Sequence, residues 1–181
     1  MVYIEFDHVD IGPAAGLPRL NVILETDADY ELWMTDAVTI RPDVERRLKA
    51  QFKGLASQDP DNDYTYDFLL VVDNFSDECL GFACRNFLRT DAAKIVRNFS
   101  AVPIWKIDGF SRHLVVFLKT DRDIQINETN GTCAAITKRC FDAVKQHDEF
   151  DYLTNASFRM TFDSKQNLDK NFNGSLFYYW R

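Results

Sequence analysis

Four aspartates, Asp59, Asp61, Asp63 and Asp67, stand ahead of the apolar run from Phe68 to Val72. Carboxylates at alternate positions are how a calcium loop begins, because the ion takes oxygen ligands from every second residue. The pattern then fails. Such a loop needs Gly at its sixth position and a bidentate Glu at its twelfth; counted from Asp59, these are Tyr64 and Leu70. Pro60 and Asn62 are turn formers, so the segment reads as a solvated turn that delivers a strand. A metal site over Asp59, Asp61, Asp63 and Asp67 is the alternative.

A second set of acids follows apolar strands. Asp73 ends one such run, and Asp121 and Asp123 follow residues 114–118. Were those strands parallel neighbours, the three carboxylates could share a magnesium ion. An antiparallel layout would separate them. Asp73, His113 and Cys84 are the residues a dispersed catalytic site would use. His8 lies on an apolar strand face, and His147 ends a helix, where the dipole alone accounts for it. No phosphate-binding glycine loop, nucleophile elbow or zinc-protease motif is present. No motif implies a cofactor, and the chemistry-bearing residues lean away from an enzyme.

Charge is more telling. The net charge is −7, and residues 1–40 hold eight acids against one base, Arg19. Residues 41–181 hold twenty of each sign. A concentrated negative field repels phosphate backbones and steers basic partners. Within it, Asp27, Asp29, Glu31 and Asp36 alternate with Tyr30 and Trp33. Acids beside aromatic rings are what a face that binds a basic protein presents, the rings giving affinity and the charges giving rate. The bland alternative is a strand with its rings inward and its acids outward.

Four cysteines, Cys79, Cys84, Cys133 and Cys140, form no CxxC pair and have no histidine at zinc spacing, so they read as reduced, buried thiols. No run is long and apolar enough to span a membrane. The first residues show neither a basic leader nor an apolar core, which suggests the cytoplasm. Six of eleven asparagines, at 74, 98, 127, 130, 155 and 173, begin an N-x-S/T triplet. In a secreted protein these would be glycan acceptors. Caps and turns explain them otherwise.

The elements that must carry these residues read as follows. Residues 2–9 alternate as a strand, and 20–26 and 30–40 read as strands joined by a turn at 27–29. Residues 41–57 form a helix with the stripe Val44, Leu48, Phe52 and Leu55. Residues 63–75 form a strand apolar on both faces in its middle, hence central. Residues 76–89 are ambiguous, with Gly81 favouring a strand. Residues 90–99 are a short helix, and 102–120 a hairpin turning at Asp108-Gly109. A loop at 121–131 leads to a helix over 132–147 with the stripe Cys133, Ile136, Cys140 and Val144. Two strands, 156–163 and 174–181, flank a polar loop. The expected fold is α+β, a single domain over 1–181, with antiparallel sheet packed on two main helices. Residues 20–88 and 102–181 can each be read as β-β-α-β-β, an echo of elements rather than of residues.

Three functions fit this reading. The favoured one is a non-enzymatic acidic protein that occupies a basic protein partner, as an immunity protein, antitoxin or inhibitor does, with no nucleic acid or membrane involved. The others are an enzyme with a dispersed site and a small-molecule sensor with an aromatic cleft.

Overall fold

The computed structural model of the chain describes residues 3–9, 15–36, 38–58 and 68–181. Leu20, Val22 and Leu24 alternate along strand β2, Pro18–Leu24, and all three are buried. A period of two puts them on one face of a sheet. That sheet has the order β1-β2-β3, with β1 over Tyr3–His8 and β3 over Leu69–Asn74. β1 is antiparallel to β2, and β2 is parallel to β3. The parallel pair needs a crossover, which two helices supply. These are α1, Asp27–Trp33, and α2, Pro42–Ala56. Tyr30 and Trp33 of α1, with Leu48 and Phe52 of α2, pack on the buried sheet face.

The same arrangement recurs. β4, Ile104–Phe110, is antiparallel to β5, His113–Leu118, and β5 is parallel to β6, Arg159–Ser164. The crossover is again two helices, α5, Asp121–Thr129, and α6, Thr132–Lys145. In chain order α3, Phe75–Thr90, and α4, Ala92–Asn98, follow β3 and precede β4. After β6 come α7, Lys165–Phe172, and α8, Leu176–Tyr179. The chain divides into two compact units, Met1–Ser76 and Asp77–Arg181.

The second sheet is buried on both faces. Leu114, Val116 and Leu118 meet a core that includes Leu80 and Phe87 of α3, Ile95 of α4 and Ile136 and Val144 of α6. Val115 and Phe117, on the other face, meet Leu168 and Phe172 of α7 and Leu176 and Tyr179 of α8.

The α+β class stands, but both sheets are mixed rather than antiparallel, and the described residues hold eight helices rather than two main ones. Residues 27–29 open helix α1 instead of turning a hairpin, because Thr26 caps them. Residues 76–89 are helical. Leu80, Cys84 and Phe87 form the buried stripe, and Gly81 sits where a Cβ would meet only ordinary contacts. Residues 121–129, read as loop, are α5, and the polar stretch after β6 is α7. The final aromatic run holds helix α8 rather than a strand. β3 is an edge strand, not a central one. Leu55 is 69% exposed, off the stripe that Val44, Leu48 and Phe52 form.

The β4–β5 hairpin turns three residues later than its Asp-Gly dipeptide suggests. Ser111 and Arg112 are the turn, and Ser111 takes the left-handed conformation, φ 52°. Gly109 lies inside β4 for a steric reason. A Cβ there would stand 2.8 Å from Leu114 Cδ2 and 2.9 Å from the His113 carbonyl oxygen.

Candidate functional site

The most ordered polar geometry lies where the parallel strands end, and it occurs twice. Leu24-Glu25-Thr26-Asp27-Ala28-Asp29 and Leu118-Lys119-Thr120-Asp121-Arg122-Asp123 share the pattern L-x-T-D-x-D. In each, the threonine caps the following helix. Its Oγ1 accepts the amide of the second aspartate at 3.2 Å in both copies. It donates to that aspartate's carboxylate at 2.8 Å in the first and 2.7 Å in the second. The first aspartate reaches across to the third strand. Asn74 Nδ2 donates to Asp27 Oδ1 at 2.6 Å, and Ser164 Oγ donates to Asp121 Oδ1. Asn74 pairs with Leu24, and Ser164 with Leu118, so the partners hold the same register. Even the backbone bond beyond the strands repeats. Ser76 N donates to Glu25 O, and Gln166 N to Lys119 O, each at 3.2 Å. The echo is therefore of residues as well as elements, which the sequence reading missed. Aligning the two hexapeptides would have found it.

This role changes what the acids of α1 are. Asp27 and Asp29 fasten a strand–helix corner. Asp36 accepts the amides of Val38 and Thr39 at 3.0 and 2.9 Å, which hold its carboxyl below the usual range. Tyr30 and Trp33 turn onto the sheet. Glu31 is exposed. Asp27 and Asp29 are thus engaged in the corner, Asp36 in a turn, and the two rings in the core.

The remaining expected site residues are scattered. Asp73 is exposed at the end of β3, and its strand belongs to a different sheet from the one that leads to Asp121 and Asp123. The parallel neighbour that an Asp73–Asp121–Asp123 magnesium site requires is thus missing. Asp163, at the end of β6, is the acid on the strand parallel to β5. His113 opens β5, with Nε2 3.1 Å from Thr161 Oγ1 and its ring edge-on to Trp180. Burial and Arg159 hold its pKa below the ordinary value. Cys84 is buried in α3, donating weakly to the Arg112 carbonyl, and burial pushes its thiol up to about 11. A nucleophile needs the opposite shift. Asp59, Asp61, Asp63 and Asp67 lie outside the described residues. Among the described residues no three His, Cys, Asp or Glu side chains are grouped to hold a metal, and no helix is long and apolar enough to cross a membrane.

One cleft holds residues that sequence reasoning did not select. Cys79, Phe82, Glu78, His147, Glu149 and Phe150 help line a space of about 250 Å³. His147 Nε2 sits 2.9 Å from Asp91 Oδ2. Lys94, Thr90 and His147 together hold the Asp91 carboxyl well below the carboxylate range. A cysteine, a histidine and an orienting acid are the parts of a thiol nucleophile. The field opposes that use, because burial and then Asp148, Glu149 and Glu78 push the Cys79 thiol up.

Three asparagines of the N-x-S/T triplets bond within the fold, among them Asn130, whose Oδ1 accepts the Thr132 amide at 2.9 Å. Asn127 is buried and donates to the Asp123 carbonyl at 2.7 Å, and Asn74 is bonded to Asp27. Asn98, Asn130, Asn155 and Asn173 are exposed.

The units differ in charge. The first, 76 residues long, has fifteen acids and six bases, a net −9; the second has thirteen acids and fifteen bases, a net +2. Three bases of the first unit are already in ion pairs, Arg19 with Asp7, Arg41 with Asp43 and Lys49 with Glu45. Glu5, Glu25, Glu31 and Asp73 are exposed around it. No known protein family, characterised protein or solved structure matches this chain.

Proposed function

We propose that the chain is a non-enzymatic acidic binding protein whose first unit occupies the basic face of a protein partner, in the manner of an immunity protein, antitoxin or inhibitor. The observation that carries this reading is the net −9 of Met1–Ser76 beside the net +2 of the rest. Charge of one sign on one unit steers an oppositely charged partner and sets the rate of encounter. The test starts with capture from the host's lysate at low and at high salt, read by mass spectrometry. Association of the purified pair is then followed by stopped flow against ionic strength. The triple variant Glu5→Gln, Glu25→Gln, Glu31→Gln removes exposed charge and spares the capping acids. Its association should slow by about tenfold at low salt and converge on wild type at high salt. An unchanged rate overturns the reading.

The enzyme reading draws on one observation, the His147–Asp91 pair, with His147 lining the same cleft as Cys79. The rate of Cys79 alkylation against pH separates the two. A thiolate reactive below neutral pH favours the enzyme, and a rate that rises only in alkali favours the binder.

A further inference from the structure

The internal repeat shows which piece the first unit lacks. The registers align Ile23 with Phe117, Val71 with Thr161 and Asp73 with Asp163. In the second unit this face is covered. Leu168 of α7 is fully buried on Val115 and Phe117, and Tyr179 packs edge-on to Phe117 at 5.1 Å. The cover also bonds to the strand-end acid. Tyr179 Oη donates to Asp163 Oδ2 at 2.7 Å, and Asn167 Nδ2 donates to the same carboxylate at 3.0 Å.

In the first unit the helix that follows β3, in the place α7 takes after β6, is α3, and its Leu80, Ala83, Cys84 and Phe87 are spent in the second unit's core. The corresponding sheet face is left with Tyr3 49% and Leu69 44% exposed. Ile23 and Val71 lie half-buried between them, and Glu5 and Asp73 are exposed on the same face. Among the described residues its one base, Arg19, is bound by Asp7 through two bonds, at 2.9 and 2.5 Å. The face is an apolar strip with acids along it.

We propose that this open face of the first sheet is the docking surface, and that its occupant is an amphipathic helix of a basic protein partner. The proposal rests on the acidic-binder reading and names its contact. The helix would lie as α7 lies on the second sheet, its apolar residues on Ile23, Leu69 and Val71. A cation or hydroxyl would be set at Asp73, as Tyr179 is at Asp163. A helix is the occupant because a helix covers the equivalent face, and a basic one because the acids there outnumber the bases.

The test titrates the full chain, labelled with nitrogen-15, with a leucine–lysine amphipathic helical peptide, and with the same peptide carrying glutamate for lysine. Amide shifts should concentrate on Tyr3–Asp7, Asn21–Ile23 and Leu69–Asp73. Leu69→Lys and Asp73→Lys, each checked for folding by circular dichroism, should weaken lysine-peptide binding by about tenfold, which is 1.4 kcal/mol. Glu31→Lys, on α1, should weaken it far less. Binding with shifts elsewhere, or all three variants alike, overturns the docking face and leaves the acidic-binder reading standing. No binding of the lysine peptide at low salt, or equal binding of the glutamate peptide, overturns both. A dimer in sedimentation whose amide exchange is slowed on this face makes a second copy the occupant and also overturns the proposal.

Discussion

The Tyr179 hydroxyl donates to Asp163 Oδ2 at 2.7 Å, tying the last helix to the end of strand β6. Burial, and then Asp163, raise the Tyr179 hydroxyl above the ordinary tyrosine value of 10.0. The folded state therefore keeps a proton that the unfolded state releases. The stability this bond supplies is fully present below about pH 10 and is lost as pH rises further. Tyr179→Phe should cost about 1–2 kcal/mol at neutral pH, by denaturant melts, and should flatten the alkaline loss.

The two strand–helix corners make a matched pair of predictions. Thr26→Ala and Thr120→Ala each remove an N-cap that accepts one amide and donates to one carboxylate. Each should cost about 1 kcal/mol in chemical denaturation. Serine at either position keeps the hydroxyl and should recover most of the loss. Unequal costs would show that the corners, alike in geometry, differ in energetic weight.

Gly109→Ala tests close approach rather than backbone freedom. The new methyl would meet Leu114 and the His113 carbonyl inside a paired strand. Overpacking of this kind costs about 1–3 kcal/mol. A thermal melt unchanged from wild type would mean that the hairpin shifts to make room.

At acid pH the exposed charge matters less than two tied carboxylates. Asp91 is held below the ordinary range by Lys94, Thr90 and His147. Burial opposes the charge of Asp148, yet Lys145 and the Leu153 and Tyr152 amides hold it low as well. Both contribute stability above the usual carboxylate value of 3.8 and lose it as pH falls through their own lower values. The melting temperature should fall steeply from about pH 4 downward, and Asp91→Asn should blunt that slope.

Thiol reactivity ranks the cysteines. All four are free. Burial pushes Cys84 up to about 11 and Cys140 up to about 12. Cys79 is the one that is not buried. Iodoacetamide on the native chain at mildly alkaline pH should label Cys79 first and leave Cys84 and Cys140 until the chain is unfolded, read by peptide mass spectrometry.

Legibility in the sequence followed periodicity. Residues 132–147 show their helix plainly, because Cys133, Ile136, Cys140 and Val144 recur at helical spacing, and all four are buried. Residues 27–33 do not, because seven residues are too few to show a stripe and the aromatic content suggests a strand. The decisive signal there was Thr26 followed three residues on by Asp29, a cap rather than a pattern. The last residues failed for a related reason: Leu176, Tyr179 and Trp180 pack on α7 and β5, and no local rule sees that surface. Strand sense was out of reach, since β2 and β3 are parallel only because two helices lie between them. The charge needed no structure to locate it. Its division between jobs did: Asp27 and Asp29 serve a corner, and Glu5 and Asp73 flank an open face.

Among the described residues each sheet has three strands and so two edge strands, and β3 is one of them. Its apolar segment, Leu69-Leu70-Val71-Val72, carries no charge, and in sequence Asp67 and Asp73 bracket it. An uncharged edge of this kind is a template for pairing with other chains, and flanking charges are what keep such segments apart. Asp73 thus has a second consequence, for solubility: neutralising it removes one of the two charges that guard this segment against cross-chain pairing.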